Sequence, residues 1–567
     1  MPTPAEILQE RLSDALQLLG FHPIAPIQVA PTADPIHGDY QTNIAMLLAK
    51  EVRGNPRDLA SRIAEKTNVG DIGDPPEVAG PGFINFRLGV EFLAREVGAI
   101  ARDSKLGVQA VPQPKKLIVE FSSPNIAKPM HVGHIRSTIL GDAIARVARF
   151  VGHQVITDNH LGDWGTQFGK VIYAWKHYRE DGALESDPMG ELVRLYREAD
   201  TRAKEDPSVL EECRLELVKL QQGDPENLEI WQRCAGLSRA EFSTIYEMLG
   251  IRFDEQLGES FYHPELPGMV ERLLAKGVAT ESQGAIVIFD TEISETPFII
   301  RKSDGGFGYA STDIATLEYR MQKWNPDGIW YVVGAPQQLH FRQLFGAARR
   351  LGYQVDLEHI AFGSILGEDR KLMRTRSGES VPLRELLQEA IDRAGKLVDE
   401  KNPALPKEDA AEIAKIVGLG AVKYAELSQH RMTDYVFSWS KMLSFQGNTA
   451  PYLQNAYVRS RAIFRKLDQA FELPGTIVLT EPAERTLAKK TLRFAEVVPS
   501  VLDGFKPNVL ANFLFELAAD YHVFYEQCPV LTAEGSAKAS RLLLCDLFAR
   551  TIKTGLELLG IAVPERM

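Results

Sequence analysis

Cysteine is scarce. The 567 residues contain four, Cys213, Cys234, Cys528 and Cys545, far apart and without a CxxC pair. That excludes a zinc site built by local motif and a disulfide scaffold, and it fits a reducing, cytoplasmic setting. Long apolar runs are missing as well. No stretch approaches the ~20 uncharged apolar residues that span a bilayer. The opening MPTPAEILQERLSDAL carries an acidic residue at position 6 and no apolar core of signal-peptide length. Net positive charge is lacking: 64 Lys and Arg against 76 Asp and Glu leave −12, so this is no polybasic coat for nucleic acid. Repeats and low-complexity segments are absent. What remains, 44% hydrophobic and 25% charged residues, is an ordinary globular composition. The length suits about three or four domains.

The acidic excess is uneven. Residues 181–250 hold 8 basic and 16 acidic residues, whereas 451–567 hold 14 and 13. A polyanionic partner would meet the C-terminal part and find 181–250 turned away.

Residues 1–107 read as a small α+β unit, with helical patterns over 5–19 and 41–52 and a strand in GPGFINFRLG (80–89). After the linker VQAVPQPKK (108–116), LIVEF (117–121) reads as a buried parallel strand. Val132, Ile135, Ile139, Ala143, Val147 and Phe150 then recur at helical spacing, and QVITD (154–158) is a second strand. Strand, helix, strand is a right-handed βαβ unit. An acidic helical stretch, 176–250, interrupts. The α/β pattern resumes with GAIVIF (284–289), a hairpin signal SDGG within 297–311, a buried strand IWYVVG (329–334), a helix over 338–351 and a strand HIAFGSI (359–365). From about 383 onward the chain is almost wholly helical.

Chemistry concentrates in two places. SSPNIAKPMHVGHIRST (122–138) follows the first strand and enters the helix, where open α/β sheets bind nucleotides. His131 and His134 bracket Gly133 at the helix start. Free N–H groups there suit phosphate, Gly133 admits a flat nucleoside, and two imidazoles can donate to phosphoryl oxygens. HxGH alone is a short motif that also arises by chance, and histidines three apart can ligate metals, though no further cluster lies nearby. The second place is KLMRTRSG (371–378), with Lys371, Arg374 and Arg376 in a loop after a strand in the other half of the sheet. Alone it reads as a solvated basic loop. With HxGH it suits closure over a triphosphate and phosphoryl or nucleotidyl transfer.

Together these segments resemble a class I aminoacyl-tRNA synthetase, HVGH standing for "HIGH" and KLMRTRS for "KMSKS". More narrowly the chain resembles the arginyl-tRNA synthetase family. The resemblance is carried by EFSSPNIAKPMHVGHIRSTILGDA (120–143), GDWGTQFG (162–169), YASTD (309–313), GAPQQLHF (334–341), GNTAPYLQNAYVR (447–459) and LLGIAVPERM (558–567). It implies a split Rossmann-like, doubly wound parallel-sheet catalytic domain over 113–400 with the acidic helical insert at about 176–283. It also implies an α+β, tRNA-contacting domain over 1–112 and an all-α anticodon-binding domain over 401–567 with its core at about 452–567.

The substrates implied are ATP, expected to arrive with Mg²⁺, L-arginine and tRNA(Arg), with arginine activation dependent on bound tRNA. No dedicated metal cage, membrane or DNA is implied, and the chain is expected to act as a monomer. The resemblance places Pro124, His131, Gly133, His134, His340 and Met373 at ATP. Glu120, Ser123, Asn125, His134, Tyr309, Asp313 and Gln337 surround arginine. A guanidinium needs acceptors in its pocket, and Asp313 would supply the carboxylate. The competing role for Asp313 is N-cap of a helix over 313–322. Asn85, Tyr452, Asn455, Ala456 and Met567 would meet tRNA, although Tyr452 also reads as helix-junction packing. One departure stands out: Met373 is followed by Arg374-Thr375-Arg376, so the second lysine of "KMSKS" is missing. Lys128, three residues before His131, is expected to replace it, assisted by Lys371 and Arg376. Two other readings remain: a small-molecule nucleotidyltransferase of the same superfamily, and a non-catalytic RNA-binding relative. The long helical C-terminal part argues against the first. Intact His131, His134, Asp313 and Gln337 argue against the second.

Overall fold

The computed structural model describes residues 1–24, 26–165, 167–373, 380–467 and 469–567. The chain forms two compact units. The larger comprises residues 112–444 with 558–562, and the smaller 1–111, 445–557 and 563–567. Residues 401–444, drawn from sequence with the C-terminal domain, thus pack with the α/β region.

In the larger unit, four parallel strands lie in the order Asp356–His359, Gly328–Tyr331, Lys116–Glu120, Gln154–Asp158. Leu117, Ile118 and Val119 are fully buried, as expected of a strand covered on both faces. From the strand Lys116–Glu120 the chain goes to one neighbour, Gln154–Asp158, and later returns on the other side. The direction therefore reverses between Lys116–Glu120 and Gly328–Tyr331, and a crevice opens at their carboxyl ends. The helix Val132–Phe150 is buried around nearly its whole circumference, so its apolar stripe understates its burial. Phe121 lies against Gly141 so closely that a Cβ there would meet its ring at 2.3 Å.

Two expected strands fall elsewhere. GAIVIF becomes the middle strand, Ala285–Asp290, of a separate antiparallel meander with Thr280–Ser282 and Ser294–Arg301. SDGG does turn the chain, but only the single bridge Arg301–Phe307 follows before a helix starts at Tyr309. HIAFGSI is largely not strand. The edge strand is the upstream Asp356–His359, whose residues alternate between exposed and partly buried. The apolar run after it leaves the sheet to dock on 431–435, Gly363 N donating to the Arg431 carbonyl at 2.9 Å. Near the N-terminus, Tyr40–Thr42 is strand and the helix begins only at Ile44.

The smaller unit joins the two ends of the chain. A sheet over residues 30–86 and the helix Val90–Ile100 pack with C-terminal helices, Val90–Ile100 against Pro482–Leu492. Tyr40 donates to Glu496 at 2.8 Å, and Arg550 donates to the Ala101 and Asp103 carbonyls at 2.7 and 2.6 Å. No helix among the described residues is long and apolar enough to cross a membrane.

Candidate active site

The loop between the first strand and its helix is strained. Ser122, Ser123 and Ala127 have φ of 75°, 47° and 59°. Such backbone persists only where its surroundings enforce it, and it clusters at functional sites. Here Ser137 Oγ accepts from Ser122 N at 2.9 Å, Asn159 Oδ1 from Ser123 N at 3.1 Å and Ser238 Oγ from Ala127 N at 2.9 Å. Ser123 Oγ is buried and has no partner among the described residues. Pro124 is buried, its carbonyl accepting from Gly162 N at 3.1 Å, and Asn125 is exposed beside it.

The start of the HVGH helix corrects one expectation. Its first N–H groups are not free for phosphate. Gly133 N donates to His131 Nδ1 at 3.1 Å, Val132 N to the Val381 carbonyl at 2.9 Å and His134 N to the His131 carbonyl at 2.8 Å. His131 N donates to His134 Nδ1 at 3.1 Å, which closes a capping box made of two histidines. With both Nδ1 atoms accepting, a neutral ring must carry its proton on Nε2. Burial and the Lys128 charge lower the His131 pKa, while burial and His131 bring that of His134 down to about 3. The site therefore offers two neutral imidazoles with Nε2–H donors. Glycine at 133 has a local reason too: a Cβ would stand 2.9 Å from the His131 ring.

The basic loop is anchored to this helix at both ends. At its exit, Val132 N donates to the Val381 carbonyl and Leu383 N to the Met130 carbonyl, at 2.9 and 2.8 Å. At its entry, Ile365–Leu366 pairs with Tyr435–Val436. Arg136, two residues beyond His134 and 2% exposed, donates to the Thr433 carbonyl at 3.1 Å and pairs with buried Glu426. Lys371 is exposed, and Met373 is part-buried with its N–H on the Ile365 carbonyl at 3.4 Å. Arg374 and Arg376 lie outside the described residues. Lys128 sets its ammonium 4.9 Å from the ring centre of Tyr196, in the acidic insert.

On the opposite wall, Asp313 is no N-cap. Its helix runs from Tyr309 to Trp324 with Gly308 as the cap, which places Asp313 inside the second turn. His340 Nε2 lies 2.5 Å from Asp313 Oδ2. Tyr309 is 68% exposed and Gln337 is exposed just before the helix Gln338–Arg350. Glu120 is already engaged: fully buried Arg320 donates to it at 2.5 Å and to Asp158 at 2.7 Å, bracing the ends of two neighbouring strands.

Sequence reading missed Glu259. It is buried, its pKa raised to about 7 by burial, opposed by His160 and reinforced by the charges of Asp313 and Asp163. Tyr309, although largely exposed, is pushed up by partial desolvation of its ring and by the charges of Glu259 and Asp313. No Lys or Arg lies within ion-pair distance of Glu259 among the described residues. The segment GDWG explains its position. Glu259 N donates to the Leu161 carbonyl at 3.0 Å, and Asp163 accepts from Ser260 N and Oγ at 2.8 Å each. The signal available in sequence was Asp163, a buried carboxylate with backbone to hold.

In the smaller unit, Asn85 is buried and its Oδ1 has no partner among the described residues. The Tyr452 ring sits 5.6 Å from both Phe515 and His522. Asn455 and Met567 are part-exposed, whereas Ala456 is buried at 2% and leaves no side-chain surface for a base.

Comparison with known proteins accounts for all of these parts. Residues 96–439 match the model for tRNA synthetases class I (R), catalytic domain; 453–567 match the DALR anticodon binding domain; and 6–88 match the arginyl tRNA synthetase N terminal domain. The chain is 46% identical to an arginine–tRNA ligase of Synechococcus elongatus and 43% to one of Laribacter hongkongensis, covering 100% of both chains in each case. It superposes on the arginyl-tRNA synthetase of Plasmodium falciparum with a TM-score of 0.86 at 29% identity, and on that of Thermus thermophilus with 0.83 at 27%, again over 100% of both chains. Flanking segments of the basic loop docked on the helix that the two histidines cap, a crevice where the parallel sheet reverses direction and full-length likeness converge: the chain belongs to the arginyl-tRNA synthetase family of class I.

Proposed function

We propose that the larger unit activates L-arginine with ATP and passes it to the 3′ end of tRNA(Arg), releasing pyrophosphate and AMP. The observation that carries the substrate choice is the gathering of Glu259, Asp313 and Tyr309. A buried carboxyl group whose ionisation is opposed by burial and by the neighbouring charge of Asp313, as at Glu259, makes a site for an incoming cation. A planar guanidinium, with five fixed donors, satisfies several acceptors at once. Ser123 Oγ and Asn125 take the main-chain groups of arginine. Glu120 acts from beneath, through Arg320, on the strand ends that carry the pocket.

Arginine's carboxylate attacks the α-phosphorus in line, and pyrophosphate leaves. The nucleophile is already ionised, so no general base is needed, and the protein contributes position and charge. Neutral His131 and His134 donate from Nε2 to phosphoryl oxygens. Lys128, Lys371 and Arg376 offset the negative charge. Mg²⁺ enters with ATP as part of the substrate. Tyr452, Phe515 and His522 offer ring faces to anticodon bases, and Asn85, Asn455 and Met567 contribute further tRNA contacts. The enzyme works as a cytoplasmic monomer, and bound tRNA is required for arginine activation. Arginine-dependent pyrophosphate exchange, measured with and without tRNA(Arg), tests the assignment: exchange with lysine but not arginine overturns it, and exchange at full rate without tRNA removes the tRNA requirement.

Glu259 gives this reading a pH signature. Its carboxyl group is protonated below about 7 and must ionise to meet the guanidinium. Arginine KM therefore falls as pH rises through about 6–8 and levels off above. Glu259→Gln raises KM by about 10–100-fold, the scale of one charge-assisted hydrogen bond, and abolishes that pH dependence. The same pH dependence in wild type and variant assigns the titration to another group.

A further inference from the structure

Lys128 has a partner that the reaction chemistry does not call for. Its ammonium rests over Tyr196, on the insert helix Pro188–Glu205, and also bears on His131, whose pKa it helps to lower. It thus faces the insert on one side and the HVGH cap on the other. The same ring carries a second cation, Lys170 Nζ, at 5.8 Å. Two ammonium groups on one ring repel each other unless one is neutralised. Asp200 does so, pairing with Lys170 at 2.5 Å, and Lys204 joins Asp200 at 2.7 Å. Tyr196 and Asp200 are four residues apart, so ring and carboxylate share one helix face. The negative face of the ring is left to attract Lys128.

We propose that Tyr196 is a positioning residue for the adenylation step: its ring holds the Lys128 ammonium beside His131. The acidic insert then takes part in the first chemical step through this contact. A lysine side chain has much rotamer freedom to lose. Restraining it before the reaction moves that loss out of the activation barrier, so the benefit appears in kcat and not in ATP binding. The proposal rests on the reading of Lys128 as the cation that replaces the missing lysine, and the test separates the two.

Steady-state aminoacylation at varied ATP is compared for Tyr196→Phe, Tyr196→Leu, Lys128→Ala and the double variant Lys128→Ala/Tyr196→Leu. Tyr196→Met, which fills space without a π face, replaces leucine if the leucine variant loses thermal stability. The expected result is a kcat about tenfold lower for Tyr196→Leu, about 1.4 kcal/mol of barrier, with ATP KM little changed. Tyr196→Phe keeps the ring and stays within about twofold of wild type. In the Lys128→Ala background the leucine substitution has little further effect, because the cation it served is gone. An equal loss in both backgrounds, or a normal kcat for Tyr196→Leu beside a slow Lys128→Ala, overturns the positioning role and leaves the Lys128 reading standing. A near-normal kcat for Lys128→Ala overturns both.

Discussion

Asp313→Ala raises the arginine KM by about 10²–10³-fold or more while the ATP KM stays near wild type. The substitution leaves a guanidinium without its carboxylate in a part-buried site, which costs about 3–5 kcal/mol. Two features sharpen the expectation. Asp313 lies inside the helix Tyr309–Trp324 and not at its cap, so alanine removes the proposed arginine ligand without unsettling the helix start. Its contact with His340, at 2.5 Å, engages Oδ2, so the guanidinium is expected at Oδ1. Glu259 remains in the variant, so residual arginine activity at high substrate is expected. Aminoacylation at saturating tRNA, with arginine and ATP varied in turn, measures both constants. An arginine KM within about twofold of wild type places the guanidinium elsewhere, since a lost ion pair of this kind cannot be that mild.

The contrast between Asp313 and Glu259 marks how far the sequence could be read. Asp313 sits in YASTD, a segment whose likeness assigns it a role. Glu259 sits at the end of an insert crowded with carboxylates, and nothing in its neighbours sets it apart. Its placement depends on the chain of contacts Leu161–Glu259–Ser260–Asp163, which brings together residues far apart in sequence. The strand Lys116–Glu120 was legible because burial on both faces writes itself as an apolar run, and the edge strand Gln154–Asp158 because Val155, Ile156 and Thr157 are consecutive β-branched residues. The edge strand Asp356–His359 was not, because one exposed edge needs no such run, and the apolar residues after it serve a different contact. The histidines were legible as chemistry but not as caps. Their Nδ1 atoms close the helix start, a contact that spacing alone does not show, and this leaves the proton of each neutral ring on Nε2.

Lys128→Ala lowers kcat by about 10²–10³-fold with little change in ATP KM. The motive is the absence of the second lysine in KLMRTRS, together with a lysine just before HVGH. A cation that meets its full partner only as the α-phosphorus becomes pentacoordinate stabilises the transition state and not the bound ground state. Losing one such contact costs about 2.7–4 kcal/mol. The geometry fits a cation held ready and not already spent: the ammonium lies over Tyr196, and its charge bears on His131. An ATP-bound lysine would show its loss in KM; one restrained by an aromatic face shows it in kcat. Arg374→Ala removes one of three basic residues from a single loop, so its neighbours compensate and the loss is smaller. Steady-state aminoacylation of both variants, at saturating tRNA and varied ATP, decides the matter. A Lys128→Ala enzyme with normal kcat, or one slowed only through ATP KM, would return the missing charge to the basic loop, where Lys371 is exposed.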